Sequence, residues 1–301
     1  MAIGTAQFSE DLWPGIMKWW GDAYTEWEPI WTKLVTEYSS DKQYEKYQGR
    51  TEYGLAGVKP QGGGVPYADP YQGFQKEIVN VFYGLGSTIT YEMMRYDQYN
   101  LFKNIPSQLA KSMRRTEETV VHGLLNNGFS SNTTADGQAL FSRNHVLVAA
   151  TGTTLGNTPA TQSDFSQSAL EQAGIDIGLF VDDWNLPIVV NATRLVVPVQ
   201  SKYLANKVLM TEYEVNTGNN TINPVSNARY PLDLVVSPYI TDPDSWFLKT
   251  DVDDGCIFQE VDPAMLDRDN EFDTKNLKFS CMRGFGVGSA NYLGYYGSSG
   301  Q

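Results

Sequence analysis

Side chains that could catalyse a reaction are scarce in this 301-residue chain. It has only two histidines, His122 and His145. His122 falls within a long predicted helix, and His145 falls in a loop that begins at Asp136. Nucleophilic catalysis needs a serine or cysteine beside a base, and the sequence has no Gly-x-Ser-x-Gly segment to present one. We therefore expect both histidines to have structural roles and the chain not to be an enzyme.

Two glycine-rich segments come close to a dinucleotide-binding motif but do not complete it. The segment Gly84–Gly86 is followed by Ile89 where the third glycine should stand, and Gly284–Gly286 is followed by Ser289 at that position. Neither segment joins a strand to a helix, which the motif requires for binding a pyrophosphate. No P-loop is present either. The sequence therefore predicts no cofactor.

Metal binding is not expected from the cysteines or from the acidic residues. The two cysteines, Cys256 and Cys281, are too few for a zinc quartet or a disulfide framework, and we expect them to be reduced and buried. Acidic residues are concentrated between Asp233 and Asp273, where 12 of them occur with two basic residues. The stretch Asp251–Gly255 does not have the spacing of an EF-hand loop. The segment is therefore expected to form a solvated acidic surface without a metal.

The net charge of the chain is −13 at pH 7, and its lysines and arginines are not clustered. Direct recognition of nucleic acid requires clustered Lys and Arg against the phosphates, so sequence-specific DNA binding is not expected. No apolar run reaches the roughly 18 residues of a membrane helix, and the acidic N-terminal sequence lacks the basic region of a signal peptide. The hydrophobic fraction of 41% is enough for one large or two smaller domains with real cores.

Residues 9 to 38 carry large aromatic side chains at helical spacing, which predicts one apolar helix face. The tryptophans on this face are Trp13, Trp20, Trp27 and Trp31. Gly21 and Pro29 are expected to divide the segment into two short helices. A tryptophan can bury about 150–250 Å², so this face will not stay in water. It packs either on its own domain or on a neighbouring subunit, and the spacing alone leaves both alternatives open.

The segment Gln48–Gln75 has little to bury. Its 28 residues include seven glycines and three prolines, whereas connections inside a domain have a median of about 4–6 residues. A strand is predicted before the tip, over Thr51–Val58, and another after it, over Lys76–Met94. This arrangement is a two-stranded ribbon, and such a ribbon is marginal in water by itself. We therefore expect the ribbon to lie against something else.

The remaining elements indicate an α+β fold without a regular βαβ order. The strongest helix is predicted over Asn104–Asn127, about 36 Å long at 1.5 Å per residue. Further helices are predicted over Asp164–Phe180 and Ser201–Met210, and strands over Ile188–Asn191, Arg194–Val199, Asp233–Val236, Trp246–Lys249 and within Leu277–Tyr296.

Several segments also resemble a known family in their order along the chain. They are ITYEMM at 89–94, DGQALFSRNH at 136–145, LVVPVQSKYLANKVL at 195–209, LDLVVSPYITDPDSWFL at 232–248 and RGFGVGSANYLGYYG at 283–297. Together with the aromatic segment and the glycine-rich ribbon, they resemble tailed-bacteriophage major capsid proteins of the HK97-like fold. The resemblance is closest to the Mu-like major head subunit group, and it covers nearly the whole chain.

The resemblance implies a division of the chain into named regions. They are an N-terminal arm at 1–45, an extended β-hairpin or E-loop at 46–90, a P-domain at 91–164 built on a spine helix at 104–127, an A-domain at 165–245, and a return to the P-domain with C-terminal strands at 246–301. In such shells E-loops lie over the P-domain of a neighbour, arms grip adjacent subunits, and A-domains meet around the centre of each capsomer.

The function implied is that of a structural head protein. Copies of the chain would form hexamers and pentamers of an icosahedral virion shell around double-stranded DNA, assembled in the host cytoplasm. The resemblance also allows separate scaffolding, portal and cement proteins as further partners. The residues expected at contacts between subunits are Trp13, Trp20, Trp27, Trp31, Arg50, Tyr53, Lys59, Gly63, Tyr67 and Tyr71.

Three further expectations accompany the resemblance. Some members of the family crosslink an E-loop lysine to an asparagine, but nothing identifies a partner for Lys59, so no crosslink is predicted. An encapsulin-type cellular compartment would use the same fold and remains an alternative. A carbohydrate-active enzyme or lectin is an alternative of another class, motivated by the 13% aromatic residues and the many carboxylates.

Overall fold

The computed structural model describes residues 5–90, 92–93, 96, 101–150, 152–213, 222–226, 230–271, 273–274 and 276–301. Within these ranges the α-helices are α1 (Thr5–Tyr24), α2 (Leu101–Asn126), α3 (Gln167–Gly178) and α4 (Lys202–Met210). The strands there are β1 (Thr36–Ser39), β2 (Tyr44–Arg50), β3 (Gln72–Val79), β4 (Val81–Ile89), β5 (His145–Val146), β6 (Thr154–Leu155), β7 (Ala192–Pro198), β8 (Asp233–Ser237), β9 (Trp246–Thr250), β10 (Ile257–Asn270), β11 (Leu277–Gly288) and β12 (Tyr295–Ser298).

The first sheet has the strand order β1-β10-β11-β4. Strand β1 runs parallel to β10, and the other neighbours are antiparallel. Helices α1 and α2 cover one face of this sheet, because alternate residues of β11 such as Phe279 and Cys281 point to that face and are buried. Trp20 of α1 and Met113 of α2 belong to the same hydrophobic core.

The second sheet has the order β12-β9-β7-β8 and is covered on both faces. Leu195 and Val197 of β7 pack with α3 and α4, whereas Val196 packs with the C-terminal half of α2. A strand buried on both faces is apolar at every position, as this part of β7 is. Helix α2 therefore contributes to two cores, one at each end, and joins the two sheets into a single subunit.

Strands β2 and β3 form a separate antiparallel ribbon, with Tyr44 opposite Val79 and Arg50 opposite Gln72. The chain leaves the ribbon at Asn80 and enters β4 of the first sheet directly. The backbone N–H of Asn80 donates to the Gln43 carbonyl, and its side-chain amide donates to the Lys42 carbonyl at 2.8 Å. This corner fixes the base of the ribbon to the edge of the sheet.

Helices α2, α3 and α4 confirm the sequence predictions closely, but the ribbon is displaced from its predicted register. The outgoing strand is β2 at Tyr44–Arg50, whereas the predicted strand Thr51–Val58 is irregular. Glycines at 54 and 57 offer no side chain to pack on a pleated surface, which explains why the ladder stops before them. The predicted strand Lys76–Met94 is two strands of different sheets, and its residues 91 and 94 lie outside the described ranges.

Two other predictions of secondary structure were wrong. Helix α1 continues through Gly21 to Tyr24 as one helix, because its packing against α2 outweighs the low helix propensity of a single glycine. A short 3-10 turn at Trp31–Lys33 takes the place of the second helix. Residues 188–191 precede β7 without joining a sheet, and the 14-residue strand β10 was missed.

Candidate subunit-contact surface

The β2–β3 ribbon lies along its own subunit. Gln259 of β10 donates from Nε2 to the Tyr47 hydroxyl at 2.8 Å. The ammonium group of Lys76 donates to the backbone carbonyl of Thr133 at 2.5 Å, and burial lowers the pKa of this lysine. Ile78 is 2% exposed and covers Gly288, where a Cβ atom would lie 2.7 Å from the isoleucine side chain. The ribbon was expected to pack against another surface, and along β2 and β3 that surface belongs to its own subunit.

The far end of the ribbon also contacts the subunit through a small set of residues that we call the root, 51–54 and 71. The indole Nε1 of Trp184 donates to the Glu52 carbonyl at 2.6 Å, and the rings of Tyr71 and Trp184 lie 5.6 Å apart. Thr51 and Tyr71 join the two strands through hydrogen bonds between their backbones and the Thr51 hydroxyl. The root is thus held at the end of the ladder.

Beyond the root, the segment 55–70, here called the tip, projects into solvent. Leu55, Val58 and Tyr67 are 83%, 95% and 97% exposed. Within the tip, the Gly63 N–H donates a hydrogen bond to the Pro60 carbonyl and forms a turn. Several large apolar side chains this exposed on one short segment favour a surface that another molecule covers. Arg50, Tyr53, Lys59 and Tyr71 are exposed on or beside it.

The four tryptophans predicted at subunit contacts divide into two pairs. Trp31 is 3% exposed and stacks on Phe258 at 4.2 Å, and Trp20 is buried in the core between α1 and α2. The spacing left open whether these tryptophans pack on their own domain or on a neighbouring subunit. Trp31 and Trp20 pack on their own chain and have little surface left for a neighbour. Trp13 and Trp27 are only partly buried. Of these four, they are the two that keep some surface available to a second subunit, although Arg268 lies over one face of Trp13 at 4.7 Å.

A buried charged cluster fastens the N-terminal segment to α2. Glu118 accepts hydrogen bonds from the backbone N–H groups of Ile30 at 2.7 Å and Trp31 at 3.1 Å, and burial raises the pKa of its carboxyl. Glu117 pairs with Arg114 and with Arg283 of β11, at 3.0 and 2.6 Å. The cluster therefore connects three elements that are far apart in sequence.

This cluster corrects the sequence interpretation of α2. From the sequence, the charged residues Arg114, Arg115, Glu117 and Glu118 are most simply the solvated face of the helix, but Arg114, Glu117 and Glu118 are buried. A helical pattern shows which residues share a face, but it does not show that Arg283, more than 160 positions away, supplies an opposite charge. The sequence around Glu117 and Glu118 contains nothing that distinguishes buried glutamates from solvent-exposed ones.

The two histidines occupy buried structural positions. His122 Nε2 lies 2.8 Å from the Ser237 hydroxyl, and its Nδ1 lies 2.7 Å from the Glu118 carbonyl. Because a carbonyl only accepts, Nδ1 carries the proton and Nε2 accepts from the serine. Burial lowers the pKa of His122 to about 4, so the ring is neutral at pH 7. Although a serine beside a histidine could form a nucleophile, neither side chain is accessible to a substrate.

His145 is fixed by its neighbours rather than presented to solvent. Its Nδ1 lies 2.8 Å from Asp136 Oδ2, and its ring stacks on Tyr292 at 4.0 Å. Burial raises the pKa of Asp136, but hydrogen bonds from His145 and Thr134 outweigh that effect and keep the pKa below its ordinary value. The Asp136 loop is thus held together by the hydrogen bond between His145 and Asp136 and by the stacked ring, which is a structural role.

Neither a metal centre nor a membrane span emerges from the part of the chain that the structure describes. Within it, no group of three or more His, Cys, Asp or Glu side chains is placed to hold a metal ion. None of its helices has the length and apolar character to cross a bilayer. Cys256 and Cys281 are free and buried, as expected, and burial raises the pKa of each thiol to about 11.

Comparison with solved structures identifies proteins of the same fold. The capsid protein of cyanophage P-SCSP1u is 10% identical, with a TM-score of 0.59 over 90% of this chain and 87% of that chain. The capsid protein of bacteriophage JBD30, from a capsid decorated with minor capsid protein trimers, is 12% identical with a TM-score of 0.58, over 71% and 92%. A virus-like particle from Pyrococcus furiosus is 10% identical with a TM-score of 0.52, over 94% and 97%. The predicted α+β capsid fold is confirmed.

A comparison of sequences is more specific than the shared fold. No curated protein matches the chain. A family model described as phage capsid protein matches residues 78–297, which is most of the sequence and extends from the end of β3 to β12. The match does not divide the family further, so the likeness to the Mu-like group stays a prediction. The chain belongs to the phage capsid protein family.

Proposed function

We propose that copies of this capsid shell protein assemble into hexamers and pentamers, which close an icosahedral shell around double-stranded phage DNA. The observation that carries the proposal is the exposed tip at 55–70. Its apolar side chains cover nothing in their own subunit, although the ribbon that presents them is firmly seated. Such a surface is favourable only if another copy buries it. Because different patches meet in a head-to-tail contact, repeated contacts of this kind close into rings.

The contacts follow the regions that the resemblance implies. The E-loop at 46–90 places its tip on the P-domain of the next subunit, with Arg50, Tyr53, Lys59, Gly63, Tyr67 and Tyr71 at or near the contact. Exposed backbone groups of the tip can add to a sheet or loop of the neighbour, since an extended segment gains affinity through main-chain hydrogen bonds. The partly exposed Trp13 and Trp27 contact an adjacent subunit through the N-terminal arm at 1–45.

Other regions and partners complete the proposal. The spine helix, residues 104–127, lies in the P-domain at 91–164 and 246–301, and the A-domain at 165–245 faces the centre of a capsomer. Copies of the chain self-assemble in the host cytoplasm, with separate scaffolding and portal proteins as additional partners that self-assembly does not require. Cement proteins are a further class of partner. The JBD30 capsid is decorated by minor capsid protein trimers, which illustrates that class in another phage. The enclosed DNA is contacted without sequence recognition, consistent with the charge of −13.

Electron microscopy of the purified protein tests the proposal. Negative staining should show rings or closed shells of uniform size for the native chain. Replacing residues 56–69 with a short glycine-serine linker should abolish these assemblies and leave thermal unfolding of the free subunit unchanged, because the tip is outside the cores.

Val189→Ser is the matched control, since it removes an aliphatic side chain that is 90% exposed but lies outside the ribbon. Native protein that stays monomeric at high concentration would refute the proposal. Assembly of the linker variant at the native rate would show that the tip is not the contact.

A further inference from the structure

We propose that Trp184 is a positioning residue for the E-loop: it holds the root against the protein's own subunit and thereby sets the direction in which the tip reaches a neighbour. The inference rests on the proposed function, because it concerns how the tip arrives at its contact. The contact between Trp184 and the root lies within one subunit and forms before assembly.

Both strands of the ribbon meet the same indole ring where their ladder ends. On the outgoing side, Trp184 Nε1 donates to the Glu52 carbonyl at 2.6 Å. Gly54 lies against the ring, since a Cβ atom there would be 3.6 Å from the indole. On the returning side, the Tyr71 ring lies 5.6 Å away, inclined at 39°. One side chain therefore restrains the two ends of the tip together.

The turn that carries Trp184 is itself well supported. Asp182 Oδ1 accepts the backbone N–H groups of Trp184 at 2.9 Å and Leu186 at 2.7 Å. Asn185 adopts a left-handed conformation with φ of 61°, which asparagine tolerates better than most residues. A bridge between Val181 and Pro187 closes the turn. A turn with this many internal hydrogen bonds can act as a rigid platform for the root.

The position of this platform determines how much of the E-loop is free. From the corner at Asn80 to Gln72 the ribbon covers eight residues, or about 26 Å at 3.3 Å per residue. Ile78 and Lys76 hold it near the corner, and Trp184 holds its opposite end. Only the tip then remains to be ordered when a neighbour binds. Ordering fewer residues at an interface lowers the entropic cost of association, so the root contact should favour assembly.

The contact leaves almost no trace in the sequence. Trp184 is an isolated aromatic residue, and its hydrogen bond is accepted by a main-chain carbonyl that any residue at position 52 would supply. The segment around Glu52 is irregular, so no strand pattern indicates a partner.

Trp184→Ala and Trp184→Phe test the inference, first on unassembled subunits. In Trp184→Ala, hydrogen exchange at the root amides of Thr51 and Tyr71, which are hydrogen-bonded across the ribbon, should accelerate about tenfold, since a lost hydrogen bond and ring contact both add to local opening. Chymotrypsin cleavage after Tyr53, which lies in the root, should accelerate with it. Trp184→Phe keeps a ring but no donor and should lie between alanine and the native chain. Tyr203→Ala, which removes a ring that is 81% exposed on α4, is the control and should leave the region unchanged.

The second measurement is the rate of shell formation, which a merely local packing role would not alter. We expect Trp184→Ala to slow it about tenfold, with partial recovery in Trp184→Phe. Exchange in α2 should stay native in both variants, which shows that the subunit is folded. Unchanged exchange at the root amides of Thr51 and Tyr71, or native assembly rates despite faster exchange there, would overturn the inference. Failure of the native chain to form shells would instead refute the proposed function, and the exchange comparison would still decide whether Trp184 holds the root.

Discussion

Arg283→Met is expected to destabilise the isolated subunit by about 3 kcal/mol. The guanidinium group lies 2.6 Å from Glu117 Oε1 and 2.9 Å from Glu260 Oε1, and the Glu117 side chain is fully buried. Removing one partner of a buried ion pair costs about 3–5 kcal/mol, because the other charge stays buried. The lower end applies here, since Glu117 also accepts from the Tyr24 hydroxyl at 2.7 Å and from Arg114 at 3.0 Å.

Urea unfolding of the unassembled subunit, followed by tryptophan fluorescence, measures this loss. Lys111→Met is the matched control. Lys111 pairs with Glu26 at 2.5 Å, but both side chains are exposed to solvent, so the variant should cost less than about 1 kcal/mol. The double variant Arg283→Met/Glu117→Gln should cost less than the sum of the single variants, by about 1 kcal/mol or more.

Comparing the loss of stability in Arg283→Met with that in Lys111→Met tests whether the cluster is buried as described. If Arg283→Met costs no more than Lys111→Met, the cluster between α2 and β11 is not desolvated as described. The explanation for why consecutive glutamates of α2 face inward would then be refuted. Additive costs in the double variant would show that Arg283 and Glu117 do not act on each other.

Three further predictions concern other parts of the subunit. Gly288→Val should place a side chain against Ile78, destabilise the subunit by about 1–3 kcal/mol in urea and raise hydrogen exchange in β2 and β3, whereas unchanged exchange would show that this contact does not seat the ribbon. His122 has a folded-state pKa lowered to about 4, so its contribution to the free energy of unfolding is present above about pH 6.5 and is lost as the pH falls towards 4. In His122→Gln, about 3 kcal/mol of this dependence on pH should disappear. A native pH profile for the variant would contradict the assignment. Trp31→Ala should cost about 3–5 kcal/mol in thermal or urea unfolding, whereas Trp27→Ala should leave the free subunit stable and slow assembly; equal stability losses would place both rings in the core.

Helix α2 shows what periodicity can predict. Its apolar residues repeat at helical spacing, and the structure begins the helix at Leu101 and ends it at Asn126, within three residues of the predicted bounds. The family and the fold class were also accessible, because several short segments in order resemble the family, although the identity to solved structures of the same fold is only about a tenth. These features depend on residues near one another in sequence.

The features that could not be predicted depend on residues that are distant in sequence. Strand β10 carries Asp262, Asp267 and Asp269, so its composition suggested a solvated segment, yet it pairs with β11 along most of its length. Among the residues that the structure describes, no strand pairs with the outer edge of β10 beyond Glu260, so its acidic side chains are tolerated there because they can remain in water. The root contact with Trp184 belongs to the same class, since it joins positions 132 residues apart.

The corner at Asn80 has a mechanical consequence. Strand β3 continues directly into β4, and β4 is paired residue by residue with β11 from Val81 to Ile89. A pull on the tip by a bound molecule would therefore be transmitted through one continuous stretch of backbone into the first sheet. The load is then shared by a whole row of interstrand hydrogen bonds, and the polypeptide between the tip and the sheet acts as a tether whose anchorage lies inside the subunit.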